Sequence, residues 1–241
     1  MTFETAVARR VATFRVGFFC LVLSCNSAAF DAGGDFWQGE IDAMLATDAA
    51  RTPPQHGVLF VGSSSIRLWT TLAEDLPGIP VVNRGFGGSM LADATRNVGR
   101  LVSPYHPRVV VLYAGDNDIA GNRSPGQVLA DFKEFVARVR QGAPRVPVLF
   151  LAIKPSVARF ALWPAMREAN ASIDAWARTR RDVRVVDATK GMLDAAGKPR
   201  PELFQSDGLH MRAAGYAIWV DALKPVLARY GFVAASRRDA H

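Results

Sequence analysis

Four short stretches of the chain carry groups able to attack, to move a proton or to stabilise a negative oxygen. The first is Gly62-Ser63-Ser64-Ser65, which follows the apolar run Val58-Leu59-Phe60-Val61 and precedes Ile66, Leu68, Trp69 and Leu72 at helical spacing. A serine there stands at the carboxyl end of a strand and at a helix start, where free backbone N–H groups favour negative charge. Both features suit a nucleophile whose attack creates an oxyanion. Serines also cap helices, and for Ser63 or Ser65 alone that reading is preferred. Ser64 becomes a nucleophile only if the chain also supplies a base and further oxyanion donors.

The histidines are His56, His106, His210 and His241. His56 and His106 stand just before strands, on the sheet edge opposite the serine, and His241 is terminal. His210 alone follows the carboxyl end of the last strand, with Asp207 three residues ahead of it. One turn of chain can bring the Asp207 carboxylate to Nδ1 and leave Nε2 for the Ser64 hydroxyl. On the oxyanion side, Asn117 can donate its side-chain amide, Gly88 its backbone N–H and Ser64 its own N–H. Taken singly, Asn117 is equally a turn residue, and Gly88 equally a glycine needed for positive φ or close packing. Convergence of four loops on one place is what favours chemistry over those local roles.

That convergence depends on the elements between the motifs. Strands are expected at Val58–Val61, Ile79–Val82, Val109–Tyr113, Val146–Ala152 and Val183–Asp187. Between them lie helical patterns: Trp37, Ile41, Met44 and Leu45; a helix from the serine turn to about Ala73; one opening after Gly85-Phe86-Gly87-Gly88; Val128, Leu129, Phe132, Phe135, Val136 and Val139; and Ala169, Ile173, Trp176 and Ala177. A last helix carries Tyr216, Val220, Leu223 and Leu227, with Pro225 expected to bend it. Strands alternating with amphipathic helices imply a parallel sheet covered on both faces, a three-layer α/β/α sandwich. In such a sheet the polar clusters ending the first three strands emerge on one edge.

With 241 residues the chain suits one such domain. Of its formal charge of +7, Arg9, Arg10 and Arg15 against Glu4, and Arg237 and Arg238 against Asp239, account for part. The body that remains, at about +4, holds no basic cluster interleaved with aromatics, so nucleic acid is not an expected partner. The three arginines near the amino end precede the apolar run 16–23, too short to span a bilayer but suited to an export signal, with Ser27 and Ala29 as small residues for cleavage. Lipid addition at Cys25 is the alternative. The expected organisation is an export signal over 1–29, a helical extension over 30–54, the catalytic domain over 55–232 and an unstructured tail over 233–241. The expected location is outside the cytoplasm, with no membrane span. Both cysteines, Cys20 and Cys25, fall in the export segment, which leaves no thiol for disulfides, metal or nucleophilic attack after cleavage at Ala29.

Gly62-Ser63-Ser64-Ser65, Asn83-x-Gly85-x-Gly87-Gly88, Gly115-x-Asn117-Asp118 and Asp207-x-x-His210 resemble, in order, the four blocks of the SGNH, or GDSL-type, esterase and lipase superfamily. The resemblance covers about residues 55–230. It implies a flavodoxin-like five-stranded sheet of order 2-1-3-4-5 and ester hydrolysis through an acyl-enzyme. It also implies Ser64 as nucleophile, His210 as base, Asp207 as its orienter, and Ser64 N–H, Gly88 and Asn117 as oxyanion donors. The chain is most similar to small single-domain members such as platelet-activating-factor acetylhydrolase catalytic subunits and bacterial carbohydrate esterases. It departs from the family at Ser63, where Asp usually precedes the nucleophile.

Other chemistries fit less well. Gly85-x-Gly87-x-x-Met90 has methionine where a dinucleotide fingerprint needs Gly or Ala, and no acid ends the next strand. Asp116, Asp118 and Asp207 are better solvated loop acids than a metal cluster, so no metal and no cofactor are expected. The expected substrate is a short-chain ester, acetyl first, of a small molecule or carbohydrate. An acyltransferase passing the acyl group to a sugar hydroxyl, a lysophospholipase or thioesterase, and a non-catalytic binding module are the alternatives. Arg84 and Lys154 are expected to bind substrate at the mouth of the site, near Trp69, Phe160 and Trp163, and each has a structural role as its alternative.

Overall fold

The alternation of apolar runs and amphipathic stripes is realised as one parallel sheet between layers of helices. The computed structural model describes residues 37–235. Strands β1 (Val58–Gly62), β2 (Val81–Gly85), β3 (Val109–Tyr113), β4 (Val148–Leu151) and β5 (Val183–Val186) pair in parallel in the order 2-1-3-4-5. Helix α1 (Gln38–Ala50) precedes them. Helices α2 (Ser64–Arg67) and α3 (Leu72–Asp75) link β1 to β2, and α4 (Leu91–Arg96) and α5 (Val98–Leu101) link β2 to β3. Helices α6 (Asp116–Ala120) and α7 (Pro125–Gly142) lead to β4, α8 (Trp163–Ala177) to β5, and α9 (Ala213–Ala228) follows the long final loop.

Every residue of β1 and β3 is buried, as central parallel strands require. Their side chains alternate between two cores. Leu59, Val61, Val110 and Leu112 pack with α4, α5, α7 and α8, whereas Val58, Phe60, Val111 and Tyr113 pack with α2, α3 and α9. Helix α7 shows how the local code works. Ser124 accepts from the Gln127 N–H at 3.3 Å, Gln127 returns the bond to the Ser124 N–H at 2.8 Å, and Pro125 opens the first turn. Val128, Phe132, Phe135, Val136 and Val139 then form its buried stripe.

The structure departs from the sequence pattern in three places. Strand β2 starts at Val81 and runs on through Asn83-Arg84-Gly85, in register with β1 up to Gly62 opposite Gly85. The helix expected from the serine to Ala73 is broken after one turn. Asn83 Nδ2 donates to the carbonyls of Ile66 at 2.7 Å and Trp69 at 3.3 Å, oxygens that a continuous helix would use itself. Residues 233–235, assigned in sequence to the tail, run back against the fold, with the Ala235 N–H donating to Pro77 O at 2.8 Å. Helix α9 continues through Pro225 to Ala228. The export segment expected over 1–29, Cys25 included, and residues 236–241 lie outside the described residues. Among the described residues no helix is long and apolar enough to cross a membrane.

The end of β1 has one steric requirement. Gly62 sits at φ +134°, and a Cβ there would lie 1.9 Å from the Tyr113 carbonyl oxygen. Gly62→Ala is therefore expected to destabilise the fold by about 3 kcal/mol or more, because neither backbone can retreat from a paired strand. A lower urea midpoint at unchanged m-value would show it; an unaltered midpoint would contradict the close approach.

Candidate active site

Ser64 opens α2 at the carboxyl end of β1, with the preceding N–H, that of Ser63, tied to Tyr113 O at 2.9 Å. Its Oγ lies 2.9 Å from His210 Nε2, although the two residues are 146 positions apart. His210 Nδ1 lies 2.6 Å from Asp207 Oδ2. The other Asp207 oxygen accepts from the N–H groups of Leu209 at 2.8 Å and His210 at 3.0 Å, which fixes the carboxylate within its own turn. The Leu209 N–H is the main influence holding this carboxyl down at about 2, with the His210 ring assisting against partial burial. Asp207 thus stays anionic wherever an imidazole can act as base.

Asp207 and His210 share the tip of a small hairpin. Phe204 and Met211, both buried, bridge in antiparallel fashion, and the Gln205 N–H donates to His210 O at 2.7 Å. The loop after β4 buttresses the tip, where the Ala158 N–H donates to Gly208 O at 3.0 Å. His56 and His106 lie together on the opposite sheet edge, Nδ1 of the first 3.2 Å from the carbonyl of the second.

The expected oxyanion donors stand on neighbouring loops of the same edge. Asn117 belongs to α6, just past β3, and its Nδ2 donates to Ser89 O at 3.0 Å while its Oδ1 accepts from Arg159 at 2.9 Å. Gly88 sits at φ +71° in the turn after β2. Among the described residues nothing accepts from the N–H groups of Ser64 or Gly88. Helix α2 is one turn long, so its macrodipole adds little and the individual N–H groups must carry the stabilisation. A hydroxyl bonded to an oriented imidazole, next to unoccupied donors, can attack an acyl carbon and stabilise the oxygen it charges.

A model of the GDSL-like lipase/acylhydrolase family matches residues 47–218. The chain belongs to that family. It is an ester hydrolase, with the α/β fold of its relatives. No curated protein sequence matches it. Among solved structures, a GDSL-like lipase from Bacteroides thetaiotaomicron is 20% identical, with a TM-score of 0.67 over 78% of this chain and 97% of that one. A protein from Streptococcus pneumonia, provisionally named as a platelet activating factor, is 22% identical, with a TM-score of 0.70 over 79% and 92%. A family 3 carbohydrate esterase from Talaromyces cellulolyticus is 18% identical, with a TM-score of 0.57 over 71% and 96%. At these identities the likeness is one of fold.

Two residues expected to bind substrate in this hydrolase are engaged elsewhere. Arg84 is buried between β2 and α1, donating to Tyr105 OH at 2.8 Å, to Asp48 and to its neighbour's carbonyl. Lys154 is 1% exposed, with Nζ 3.4 Å from Asp116 Oδ2 and 3.2 Å from Tyr113 OH. Each cation is already paired inside the fold. Trp69 is buried against Tyr216 and Trp219. Phe160 and Trp163 line a cleft of about 840 Å³ beside β4 and β5 whose walls include neither Ser64 nor His210.

Asp116 and Asp118, expected from the sequence to be solvated loop acids, are instead buried beneath the GDSL site, among charges from other elements. Burial alone would raise the Asp116 carboxyl, but Lys154 and Arg159 prevail and hold it below its ordinary value. Asp118 is buried and accepts from the Leu91 N–H at 3.1 Å, so it fastens the start of α4 to the Asn117 loop. Burial, opposed by that N–H, raises its carboxyl from 3.8 to about 6. The folded state therefore binds more protons than the unfolded state between those values, and stability falls as pH rises through about 6. Asp118→Asn keeps an acceptor for Leu91 and cannot ionise. Its melting temperature relative to wild type should be higher above pH 6 than below it; a constant difference across that pH would refute the burial effect.

Ser63 is buried and its hydroxyl has no partner among the described residues. Ser63→Ala is accordingly expected to leave turnover intact and stability equal or higher. A loss of stability above about 1 kcal/mol would mean that the hydroxyl is satisfied in solution.

Proposed function

We propose that this hydrolase cleaves short-chain carboxylic esters, acetyl esters first, through an acyl-enzyme on Ser64. His210 Nε2 takes the hydroxyl proton as Oγ bonds to the acyl carbon, and Asp207 stabilises the resulting imidazolium through Nδ1. The N–H groups of Ser64 and Gly88 and the Asn117 amide receive the negative oxygen. Collapse breaks the ester bond, and His210 returns the proton to the departing alkoxide. Water then attacks the acyl carbon, His210 takes its proton, and the acid leaves as Ser64 recovers its own.

The observation that carries this reading is the unbroken bonded series from Asp207 through His210 to Ser64, at 2.6 and 2.9 Å. The preference for short acyl groups is supported by an open rim, with the Asp207 side chain 44% exposed and His210 25% exposed. At so open a rim the alcohol of a bound ester would extend into solvent. The fold likeness to a carbohydrate esterase agrees with a sugar as that alcohol. The arginines and apolar run ahead of Leu23 support export, so that the ester would be met outside the cytoplasm. A secreted or periplasmic product retaining Met1 would refute cleavage of that segment.

Ser64→Ala is expected to abolish hydrolysis of p-nitrophenyl acetate at a nearly unchanged melting temperature, and retained turnover would reject the nucleophile. His210→Ala should lower kcat by about 10³-fold or more. A panel of esters graded by chain length tests the acyl preference, with a maximum at long chains sinking it. Acyl transfer to an added sugar in preference to water would reassign the enzyme as a transferase.

A further inference from the structure

Two of the oxyanion donors are amides, and an amide presents an acceptor at one end and a donor at the other. In the Gly87–Gly88 unit, planarity points the Gly88 N–H opposite to the Gly87 carbonyl. Two glycines make rotation of that unit easy, and nothing lies within 4 Å of where a Gly88 Cβ would be. For Asn117, a half-turn of the terminal torsion exchanges oxygen for nitrogen. Either reversal would aim a carbonyl oxygen at the negative charge formed during attack.

In both cases a donor from outside the four motifs holds the oxygen end. The Trp37 indole N–H donates to Gly87 O, and its ring meets Phe86 edge-on at 5.8 Å. On the same side, Glu40 accepts from the Gly87 N–H at 3.2 Å and lies 3.6 Å from Arg67. The Arg159 guanidinium donates to Asn117 Oδ1 at 2.9 Å and lies 3.5 Å from Asp116, while Ser89 O takes one Asn117 hydrogen at 3.0 Å. Arginine can only donate and a backbone carbonyl only accept, so the reversed Asn117 amide would set donor against donor and acceptor against acceptor.

We propose that Trp37 and Arg159 are positioning residues of the oxyanion hole, each gripping the oxygen of an amide so that its N–H faces the oxygen that becomes negative during attack. The proposal rests on the reading of Ser64, Gly88 and Asn117 given above. Neither residue touches the ester; each acts through the amide it holds.

Steady-state hydrolysis of p-nitrophenyl acetate by the full chain provides the test. Trp37→Phe keeps the ring on Phe86 and removes the N–H, and Arg159→Met keeps the stem and removes the donor. Each should lower kcat by about 10- to 100-fold, in the range below outright loss of an oxyanion donor. KM should stay within about twofold and the pH profile should not move, because base and orienter are untouched. Arg159→Lys should recover part of the rate. With Asn117→Ala already in place, Arg159→Met should produce no further loss, whereas Trp37→Phe should still produce its full one.

Undiminished kcat in folded Trp37→Phe or Arg159→Met overturns the proposal, as does an equal further loss when Arg159→Met joins Asn117→Ala. Should Trp37→Phe fail to fold, Trp37→His, which retains a ring N–H, must keep more rate than Trp37→Leu. Wild-type chain without ester turnover, or Ser64→Ala retaining it, would remove the underlying reading instead. Wild-type turnover with undiminished variants removes this proposal alone.

Discussion

Where β1 ends against β3, two backbones press together with no side chain between them. Gly62 lies against the Tyr113 carbonyl at a separation no Cβ could share, and the Ser63 N–H bonds that same oxygen. The contact decides that the chain turns immediately after β1 and presents Ser64 to the edge. It also ties the serine turn to the strand that continues through Gly115 into Asn117. Ser64 and the Asn117 side-chain amide are therefore fixed relative to one another by paired backbone, which is stiffer than any side-chain contact.

Around that junction the molecule separates two kinds of polar group. Those at the rim keep unfilled hydrogen-bonding capacity: the Ser64 and Gly88 N–H groups and the second Asn117 amide hydrogen. Those beneath are fully engaged. Asp116, Lys154 and Tyr113 are buried together, with Arg159 reaching in from the partly exposed side, and each charge has an opposite partner, the condition under which burying them is tolerable. Arg159 belongs to both sets, with one contact to Asp116 below and one to Asn117 above.

The layers of the fold were legible in the sequence because burial on both faces forces apolar strands and striped helices, and those patterns are local. Ser64, Asp207 and His210 were legible for a related reason: residue type joined to strand-end position leaves few alternatives. The burial of Arg84 and Lys154 was not legible, because a cation near a strand end reads as exposed, while their partners, Asp48 and Asp116, come from other elements. The contacts of Trp37 and Arg159 were hidden for the same reason, since they meet their amides across 50 and 42 residues, and the helical pattern that includes Trp37 says nothing of Gly87. The early end of α2 was hidden too, because the competitor for its carbonyls is Asn83 on an edge strand.

The span of 146 residues between Ser64 and His210 also has a meaning in time. A ribosome adding roughly 5 to 20 residues each second would expose the serine about 7 to 30 seconds before the imidazole exists. Through that interval the hydroxyl has no proton acceptor and is as inert as any other serine. Reactivity can begin only once His210 has been made and its ring has folded onto the serine.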